Sequence, residues 1–459
     1  MFVLLLTLTV GADANWPPNL AGARNGTVTL ATADFLKIPA EVKVKSQDEK
    51  AAKFTVAKTL PTVDLAFHDQ LGEDAVNRRL WSSWGDICVA SDGRVYCAIG
   101  DHGNAVGGDA RCFIYCWEPQ SKTLRQIVDM NKVVPPRAGQ PAWSKVHAKI
   151  DEGPGGKILF NCTLNDGNRA RNPEYGWTDD LPGGQIYQYD PKSGETSVFA
   201  NLPPRRCSAT SIVDQQRMIW WCNLEAGEGN ALWGLDLKTK EVVYQSHDGL
   251  IAFNRNFALA NDGSIYFNGE DAIWKFDPST QKSIKTKSSF NNTKGMRSSS
   301  RESKDGAIYG TTHQTNQLFR YEPAKDKLTM LGTNWLLGQY TTVCVLSPDE
   351  RFLYYMPGSH GKAYRDGTPV VQYEIKTGTQ KVIAFLAPSV ERELQYVPSG
   401  SYGVKMSADG GTLYVNFNGH AADTIRPEKM RPNGFGLCAF AAIHIPDSER
   451  LQSIEDSKD

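Results

Sequence analysis

Residues 261–282 read NDGSIYFNGEDAIWKFDPSTQK. An Asn-Asp-Gly turn precedes a short β-rich run, SIYFNG, and a second run, IWKF, ends in a polar Asp-Pro turn. An Asp-Gly pair between apolar runs is a strong local signal for a β-hairpin. One further run precedes the Asn-Asp-Gly turn and another follows the Asp-Pro turn. The stretch therefore predicts a unit of four antiparallel strands joined by short turns.

The same unit recurs along the chain, and an internal repeat of this kind decides the fold before any local pattern does. Hairpin turns of this type occur at Asp92, Asp262, Asp305, Pro348 and Asp409. Aromatic strands that end in polar turns are IYCWEPQSKT, IYQYDPKSGE, LWGLDLKTKE, IWKFDPSTQK, LFRYEPAKDK and VVQYEIKTGT. The units begin near Trp84, Val146, Cys207, Arg255, Met296, Tyr340 and Tyr402. Repeats of roughly 35 to 60 residues with four strands each are typical of propeller blades.

The chain is therefore predicted to be all-β, a seven-bladed β-propeller with four-stranded antiparallel blades. The last unit shows three clear strands, so a strand from the N-terminal region, within residues 53–65, is expected to complete it and close the ring. The predicted organisation is an N-terminal arm over 15–79, the propeller over 80–446 and a polar, frayed tail over 447–459.

Residues 1–14 are interpreted as a signal peptide. The apolar run FVLLLTLTV (2–10) is too short to span a bilayer, and Ala12 and Ala14 resemble a small-x-small cleavage site. The mature protein is accordingly expected to be secreted or periplasmic, not embedded in a membrane, and monomeric.

The composition excludes several classes of function. Fifty Lys and Arg residues balance 51 Asp and Glu residues in a chain of 459, a net charge of −1, which lacks the positive charge of a nucleic-acid binder. A 40% hydrophobic and 10% aromatic content argues against disorder. Nine cysteines leave at least one unpaired in a monomer. Cys88 and Cys97 flank a hairpin turn, and they form either a bridge or two small buried residues.

Histidines concentrate at one predicted edge of the blades. His102, His313, His360 and His420 end the second strand of a blade, whereas His147 begins the first strand of the second blade. Both positions open on the same face of a propeller, where functional loops usually lie. Histidine supplies metal ligands and proton carriers near neutral pH. His360 and His420, with His102, are the candidate ligands of one divalent metal ion.

Arginine and tyrosine residues at the starts of blades are candidates for binding an anionic sugar. Arginine binds carboxylate or sulfate through its planar fork, and tyrosine transfers protons or stacks on sugar rings. The residues at these positions are Arg206, Arg255, Arg297, Tyr340 and Tyr402. A long insertion over 164–183 adds Arg169, Arg171, Tyr175 and Trp177 above the same face.

The YDPKSGE-type turns, and the blade-entering VHAKI (146–150) followed by a decorated loop, resemble those of secreted bacterial β-propellers of the ulvan lyase type of polysaccharide lyase. This resemblance implies β-elimination on a uronate-containing polysaccharide, with His102 and His147 in the places of that family's two histidines. The family also uses a Tyr and an Arg from the following blade. Here that blade starts RRCSATSIVDQQRMIWWCN, in which Arg206 is a loose match and no Tyr stands at the entrance.

The sequence thus predicts a secreted polysaccharide lyase whose partner is an anionic polysaccharide. β-Elimination needs a base, a group that neutralises the carboxylate and a proton donor. His147 or Tyr402 is the expected base or acid, and His102 and Arg206 are expected to neutralise the carboxylate. Two alternatives remain open: a non-catalytic propeller that binds glycans or proteins, and a metal-dependent hydrolase, lactonase or redox enzyme on the same scaffold.

Overall fold

The computed structural model describes residues 26–68, 81–101, 110–135, 142–164, 183–225, 229–291, 294–422 and 437–451. Within them, seven sheets, antiparallel except for one added edge strand, form a ring, which confirms the predicted seven-bladed β-propeller. The predicted signal peptide (1–14), the end of the predicted arm (69–79) and the last residues of the predicted tail (452–459) lie outside the described residues.

The blades follow the predicted order, and each is defined by its strands. Blade one has Trp81–Ser82, Cys88–Val89, Val95–Asp101, Cys112–Glu118 and Thr123–Asp129, and blade two has Trp143–Val146, Asp151–Glu152, Ile158–Leu164, Gln185–Tyr189 and Thr196–Asn201. Blade three has Cys207–Asp214, Ile219–Glu225, Ala231–Asp236 and Val242–Gln245, and blade four has Phe253–Leu259, Ile265–Asn268, Ile273–Asp277 and Lys282–Lys285. Blade five has Met296–Ser299, Ile308–Thr312, Gln317–Glu322 and Lys327–Thr333. Blade six has Cys344–Leu346, Phe352–Tyr355, Pro369–Glu374, Gln380–Phe385 and Phe54–Val56, and blade seven has Tyr396–Met406, Thr412–Ala421, Leu437–His444, Thr62–Phe67 and Thr27–Leu30.

Helices are short and peripheral in the described part of the chain. The α-helices are Ala40–Lys45, Met130–Val133, Ala387–Leu394 and Asp447–Arg450, and the 3-10 helices are Ala33–Leu36, Pro154–Gly156, Pro323–Lys325 and Ala363–Asp366. None of the helices in these residues has the length and apolarity to cross a bilayer.

The repeated turns have a simple physical cause. In the hairpin turn of blade four, Gly263 has a φ of +91°, a conformation that glycine adopts at little cost, and the Asp262 carboxylate accepts the backbone N–H of Ser264. The polar turns use the same device, since Asp277 accepts the backbone N–H of Ser279. A carboxylate that holds the turn explains why aspartate recurs at these positions.

The N-terminal arm closes the ring. Strand Thr62–Phe67 pairs antiparallel with Leu437–His444 of blade seven, and Thr27–Leu30 adds a fifth strand outside it. Phe54–Val56 pairs parallel with Gln380–Phe385 and extends blade six. Non-local pairing of this kind fixes the first and last parts of the chain to each other.

The start of the predicted frayed tail is ordered instead. Asp447–Arg450 forms one helical turn, and Glu449 is buried. Its carboxylate accepts the backbone N–H groups of Lys58 and Thr59 and pairs with Lys381 at 3.0 Å. The expectation of fraying was wrong here because a single carboxylate ties this turn to the arm and to blade six.

All nine cysteines are buried thiols without a disulfide. Cys88 lies opposite Tyr96 and Cys97 lies opposite Tyr115 in the sheet of blade one. Side chains alternate between the faces of a strand, so Cys88 and Cys97 point to opposite faces. The sheet register therefore rules out the bridge and leaves the alternative, small buried residues.

Candidate functional site

A cavity of about 1290 Å³ runs along the axis of the ring and is lined by the innermost strands of the blades. These strands run in the same direction, so their N-terminal ends meet at one end of the cavity. We call this end the channel mouth; its residues are Trp84, Lys145, His147, Phe253, Arg255, Lys294, Arg297, His313, Tyr340, His360 and Tyr402.

Irregular backbone aims several of these side chains into the channel. Arg297 and Tyr402 each occupy a register shift of an innermost strand, between Met296 and Ser298 and between Ser401 and Gly403. Arg255 lies within a longer shift, between Phe253 and Ala258. Bulges redirect side chains and are frequent beside active sites. The channel mouth therefore depends on departures from regular pairing.

Blades one and two are interrupted at the same level. The ladder of blade two stops at Val146 and resumes at Asp151, and His147 lies in the gap. In blade one, the gap between Ser82 and Cys88 contains Trp84 and Gly85. A Cβ atom on Gly85 would collide with the carbonyl oxygen of Ala148. Only glycine allows the two inner strands to approach this closely, which brings the Trp84 and His147 rings together.

Aromatic rings form a continuous arc around the channel mouth. Phe253 contacts His313 at a centroid distance of 4.6 Å, His313 contacts Tyr340 at 5.3 Å, and Tyr340 contacts His360 at 4.4 Å. The arc continues through Tyr402 and Trp84, 4.5 Å apart, to His147, whose ring stacks on Trp84 with an interplanar angle of 8°. Such an arc offers flat apolar faces of the kind that stack on sugar rings.

The protonation state of His147 follows from its partners. Its Nδ1 lies 2.6 Å from the carbonyl oxygen of Ala209, so Nδ1 carries the proton and donates. Its Nε2 lies 2.6 Å from Nη1 of Arg255, and a guanidinium can only donate. His147 is therefore neutral, with a basic lone pair directed at an arginine at the channel mouth.

Arg297 is a buried cation whose hydrogen-bond partners within the described residues are all neutral. Its side chain is 6% exposed, and it donates to the Tyr340 hydroxyl oxygen and to the backbone carbonyl oxygens of Thr342 and Arg255. Within the described residues it has no ion pair. Buried charges are normally paired because desolvating them is costly. An arginine in this situation is prepared to bind an anion.

Among the described residues, the charged side chains at the channel mouth are all cationic. The cavity-lining carboxylates among the described residues are Asp86, Asp151, Glu152, Asp214 and Glu350, and they come from later positions along the inner strands. Partial burial, followed by the positive charge of Arg297, lowers the pKa of both His313 and His360 to about 4. Both imidazoles are therefore neutral at neutral pH, although His360 is open to the channel.

Replacing Arg297 with glutamine is expected to raise the pKa of His313 and His360. Removing the nearest cation should give an increase on the order of half a unit to one unit, where one unit corresponds to about 1.4 kcal/mol. Burial remains, so both pKa values should stay below the ordinary value of 6.5. An NMR titration of the imidazole protons measures this, with Arg125→Gln on an outer strand as control. Unchanged pKa values would contradict the proximity of Arg297 to these rings.

The structure gathers some of the predicted site residues and separates others. His147, Arg255, Arg297, Tyr340, His360 and Tyr402 meet at the channel mouth. Arg206 does not join them, because its guanidinium turns to Asp248 and to the carbonyl oxygen of Gly229. His102 and the insertion residues Arg169, Arg171, Tyr175 and Trp177 lie outside the described residues.

The two described members of the predicted metal site have different neighbours. His360 contacts the rings of Tyr340 and Tyr402, whereas His420 packs against Tyr364 and bonds the carbonyl oxygen of Ala421. His420 is not a lining residue of the cavity. Among the described residues, no group of three or more His, Cys, Asp or Glu side chains could hold a metal ion. The third expected ligand, His102, lies outside the described residues, so the metal centre stays a prediction.

Sequence reasoning missed several channel residues. Trp84 marks the start of a blade but was not recognised as a ring that stacks on His147, and Lys145 lies over the same indole at 5.0 Å. A usable signal existed in blade two, where Lys145, His147, Lys149 and Asp151 alternate along WSKVHAKID. Alternation places such residues on one face, and all four line the channel.

Comparisons with known proteins support the fold and leave the activity open. No family model matches the chain, and no curated protein matches its sequence. Among solved structures, a chain of a mitotic checkpoint complex is 12% identical, with a TM-score of 0.52, and the match covers 87% of this chain and 97% of that one. An oligogalacturonate lyase solved with manganese is also 12% identical, with a TM-score of 0.49 and coverage of 87% and 96%. The likeness to the first of these, at 12% identity, shows the fold alone.

Proposed function

We propose that the protein is a polysaccharide lyase that cleaves a uronate-containing glycan by β-elimination at the channel mouth. The observation that carries this proposal is the buried Arg297, which has no ion pair within the described residues and lies close to the neutral His147 site through Arg255. An anion site would neutralise the carboxylate, and the neutral imidazole beside it would serve as the base. These are the two most demanding requirements of the reaction.

Arg297 and Arg255 would bind the uronate carboxylate. The proton at C5 of a uronate is weakly acidic because its removal adds charge next to a carboxylate. Two guanidinium groups stabilise the additional charge in the transition state, and this electrostatic term is commonly the largest in such catalysis. The two arginines therefore take the role that was predicted for His102 and Arg206.

His147 would act as the base. Arg255 donates to Nε2 of His147 in the protein without substrate. A carboxylate that binds Arg255 competes for that guanidinium and can release the lone pair, while the bond from Nδ1 to Ala209 keeps the ring in place. Base activation is thus linked to binding of the anionic group that the reaction requires.

Tyr340 is the best placed proton donor. Its oxygen accepts from Nε of Arg297, which leaves its own hydroxyl proton to donate to a leaving oxygen. Tyr402, the earlier candidate, is 5% exposed, and burial raises its pKa further above the ordinary value. Tyr402 stays protonated and mainly shapes the aromatic arc beside Trp84.

The test is a screen of the purified protein against uronate-containing polysaccharides, with neutral polysaccharides as controls. A lyase produces an unsaturated uronate, detected by the ultraviolet absorbance of its conjugated enoate and by product masses that lack added water. Arg297→Gln is expected to lower kcat/KM by about 10²–10³-fold. Products that have gained water would identify a hydrolase, and binding without any product would identify a glycan-binding propeller.

A further inference from the structure

Deeper in the channel, four charged side chains form a second layer that the proposed reaction does not use. We call Asp86, Lys149, Asp151 and Lys405 the channel waist; all four line the cavity. Asp86 follows Trp84 by two residues, and Lys149 follows His147 by two. Two residues of extended chain span about 6.6 Å, so the channel waist lies roughly that far below the channel mouth.

Two of these groups satisfy each other. Lys405 pairs with Oδ2 of Asp86 at 3.0 Å, and Oδ1 of Asp86 accepts the backbone N–H groups of Ile87 and Val404. This ion pair is fixed to two neighbouring blades by backbone hydrogen bonds. The presence of these two charges in the channel is therefore explained by the structure itself.

The other two groups are satisfied only in part: the Asp151 carboxylate accepts a hydrogen bond from the backbone of Val213, and Lys149 and Asp151 attract each other. Within the described residues the Lys149 ammonium makes no ion pair, and the buried Oδ2 atom of Asp151 makes no hydrogen bond. Burial, followed by the charge of Lys405, lowers the pKa of Lys149. Burial raises the pKa of Asp151 to about 6. The cavity is thus lined by a cation without an ion pair and by a carboxylate oxygen without a donor, and a ligand that carries an anionic group and a hydroxyl would satisfy both.

We infer that Lys149 and Asp151 form a second subsite, which binds one hydroxylated carboxylate unit of an acidic oligosaccharide below the channel mouth. Lys149 takes the carboxylate, and Asp151 accepts a hydrogen bond from a sugar hydroxyl. The identity of this ligand as a uronate rests on the proposed function. The site itself rests on the Lys149 ammonium, which has no ion pair within the described residues, on the Oδ2 atom of Asp151 and on the cavity.

The position of this subsite restricts the length of the substrate and the way it enters the channel. The cavity volume of about 1290 Å³ exceeds the roughly 300–1,000 Å³ typical of sites for one small ligand. One sugar unit at the channel mouth and the next at the channel waist require a glycan that enters along the axis by its end. The preferred substrate is therefore a short acidic oligosaccharide or a chain end, instead of the middle of a long polymer.

The experiment compares wild type with Lys149→Met, Lys149→Gln and Asp151→Asn. Lys192→Met is the matched control, because Lys192 is exposed on the outer part of blade two. Sodium glucuronate is titrated calorimetrically, with glucose as the neutral control. Wild type should bind two glucuronate ions per chain, and the Lys149 variants one. Loss of a charge-assisted contact should also raise KM for short oligouronates about tenfold, with a smaller change in kcat.

The outcomes separate this inference from the proposed function. If no glycan is cleaved but the Lys149 variants lose one glucuronate site, the lyase proposal fails and the subsite stands. If wild type is a lyase and the variants keep both the stoichiometry and KM, the subsite is overturned and the lyase stands. Should Lys149→Met fail to fold, Lys149→Gln and Asp151→Asn decide the question by the same two measurements.

Discussion

Replacing His147 with alanine is expected to lower kcat on a uronate-containing glycan by about 10²–10⁴-fold, the usual contribution of a positioned general base. KM should change much less, because Arg255 and Arg297 still bind the carboxylate. The hydrogen bonds of His147 explain the size of the effect. The bond to Ala209 fixes the ring, and the contact with Arg255 fixes the lone pair where the carboxylate will bind.

Two further variants separate basicity from structure. In His147→Asn the amide nitrogen can still donate to Ala209, and in His147→Gln the amide oxygen can still accept from Arg255. Because each variant keeps one of these hydrogen bonds, both should fold like wild type. Because neither amide is basic, both should be as inactive as His147→Ala. Added imidazole should restore part of the activity of His147→Ala.

The control is His247→Ala, since His247 is exposed and away from the channel lining. It should retain wild-type kcat. Full activity of His147→Gln would exclude His147 as the base, and the neutral His360 would then be the next candidate. Loss of activity in the control would show instead that the assay responds to the stability of the folded protein and not to the loss of a base.

The fold could be predicted from the sequence because the repeated signals are local. Asp262, Gly263 and Asp277 each determine a turn through their own neighbours, and the sequence shows five such hairpin turns and six such polar turns. Ring closure could be predicted because blade seven lacked a strand. The extra strands Thr27–Leu30 and Phe54–Val56 were not predicted, because edge pairing depends on distant partners.

The site could be predicted only in part because it depends on bulges, where the innermost strands depart from regular pairing. The starts of blades pointed to Arg255, Arg297, Tyr340 and Tyr402, which do meet at the channel mouth. Arg206 occupies a similar sequence position, yet Asp248, forty-two residues away, draws it out of the channel. Nothing local in the sequence distinguishes Arg206 from Arg297, since the difference lies in a bulge and in a distant carboxylate.

One buried carboxylate lies at the closure of the ring. Asp64 lies in the middle of the closing strand and is 1% exposed. It accepts hydrogen bonds from the Thr29 hydroxyl, from Nζ of Lys122 in blade one at 2.7 Å and from Nε2 of His444 in blade seven at 2.7 Å. Asp64 thereby connects the arm to both blades that meet at the closure.

Replacing Asp64 with asparagine is expected to destabilise the protein by about 2–3 kcal/mol at neutral pH. Removing one partner of a buried ion pair costs about 3–5 kcal/mol, and the value is reduced here because Lys122 and His444 are each 40% exposed. The hydrogen bonds from His444, Lys122 and Thr29 outweigh the opposing effect of burial and lower the pKa of Asp64 from 3.8 to about 2. A lowered pKa of this size corresponds to about 2 kcal/mol of stability.

The sign of the pH dependence follows from that lowered pKa. The contribution of Asp64 is complete above pH 3.8 and is lost as the pH falls towards 2. Wild type and Asp64→Asn should therefore differ in their urea midpoints at pH 7 and converge as the pH falls through that window. Asp271→Asn, which removes a surface pair with Lys285, is the matched control and should change the midpoint little. Equal midpoints for wild type and Asp64→Asn at pH 7 would show that the closing strand is held by its backbone pairing and apolar contacts alone.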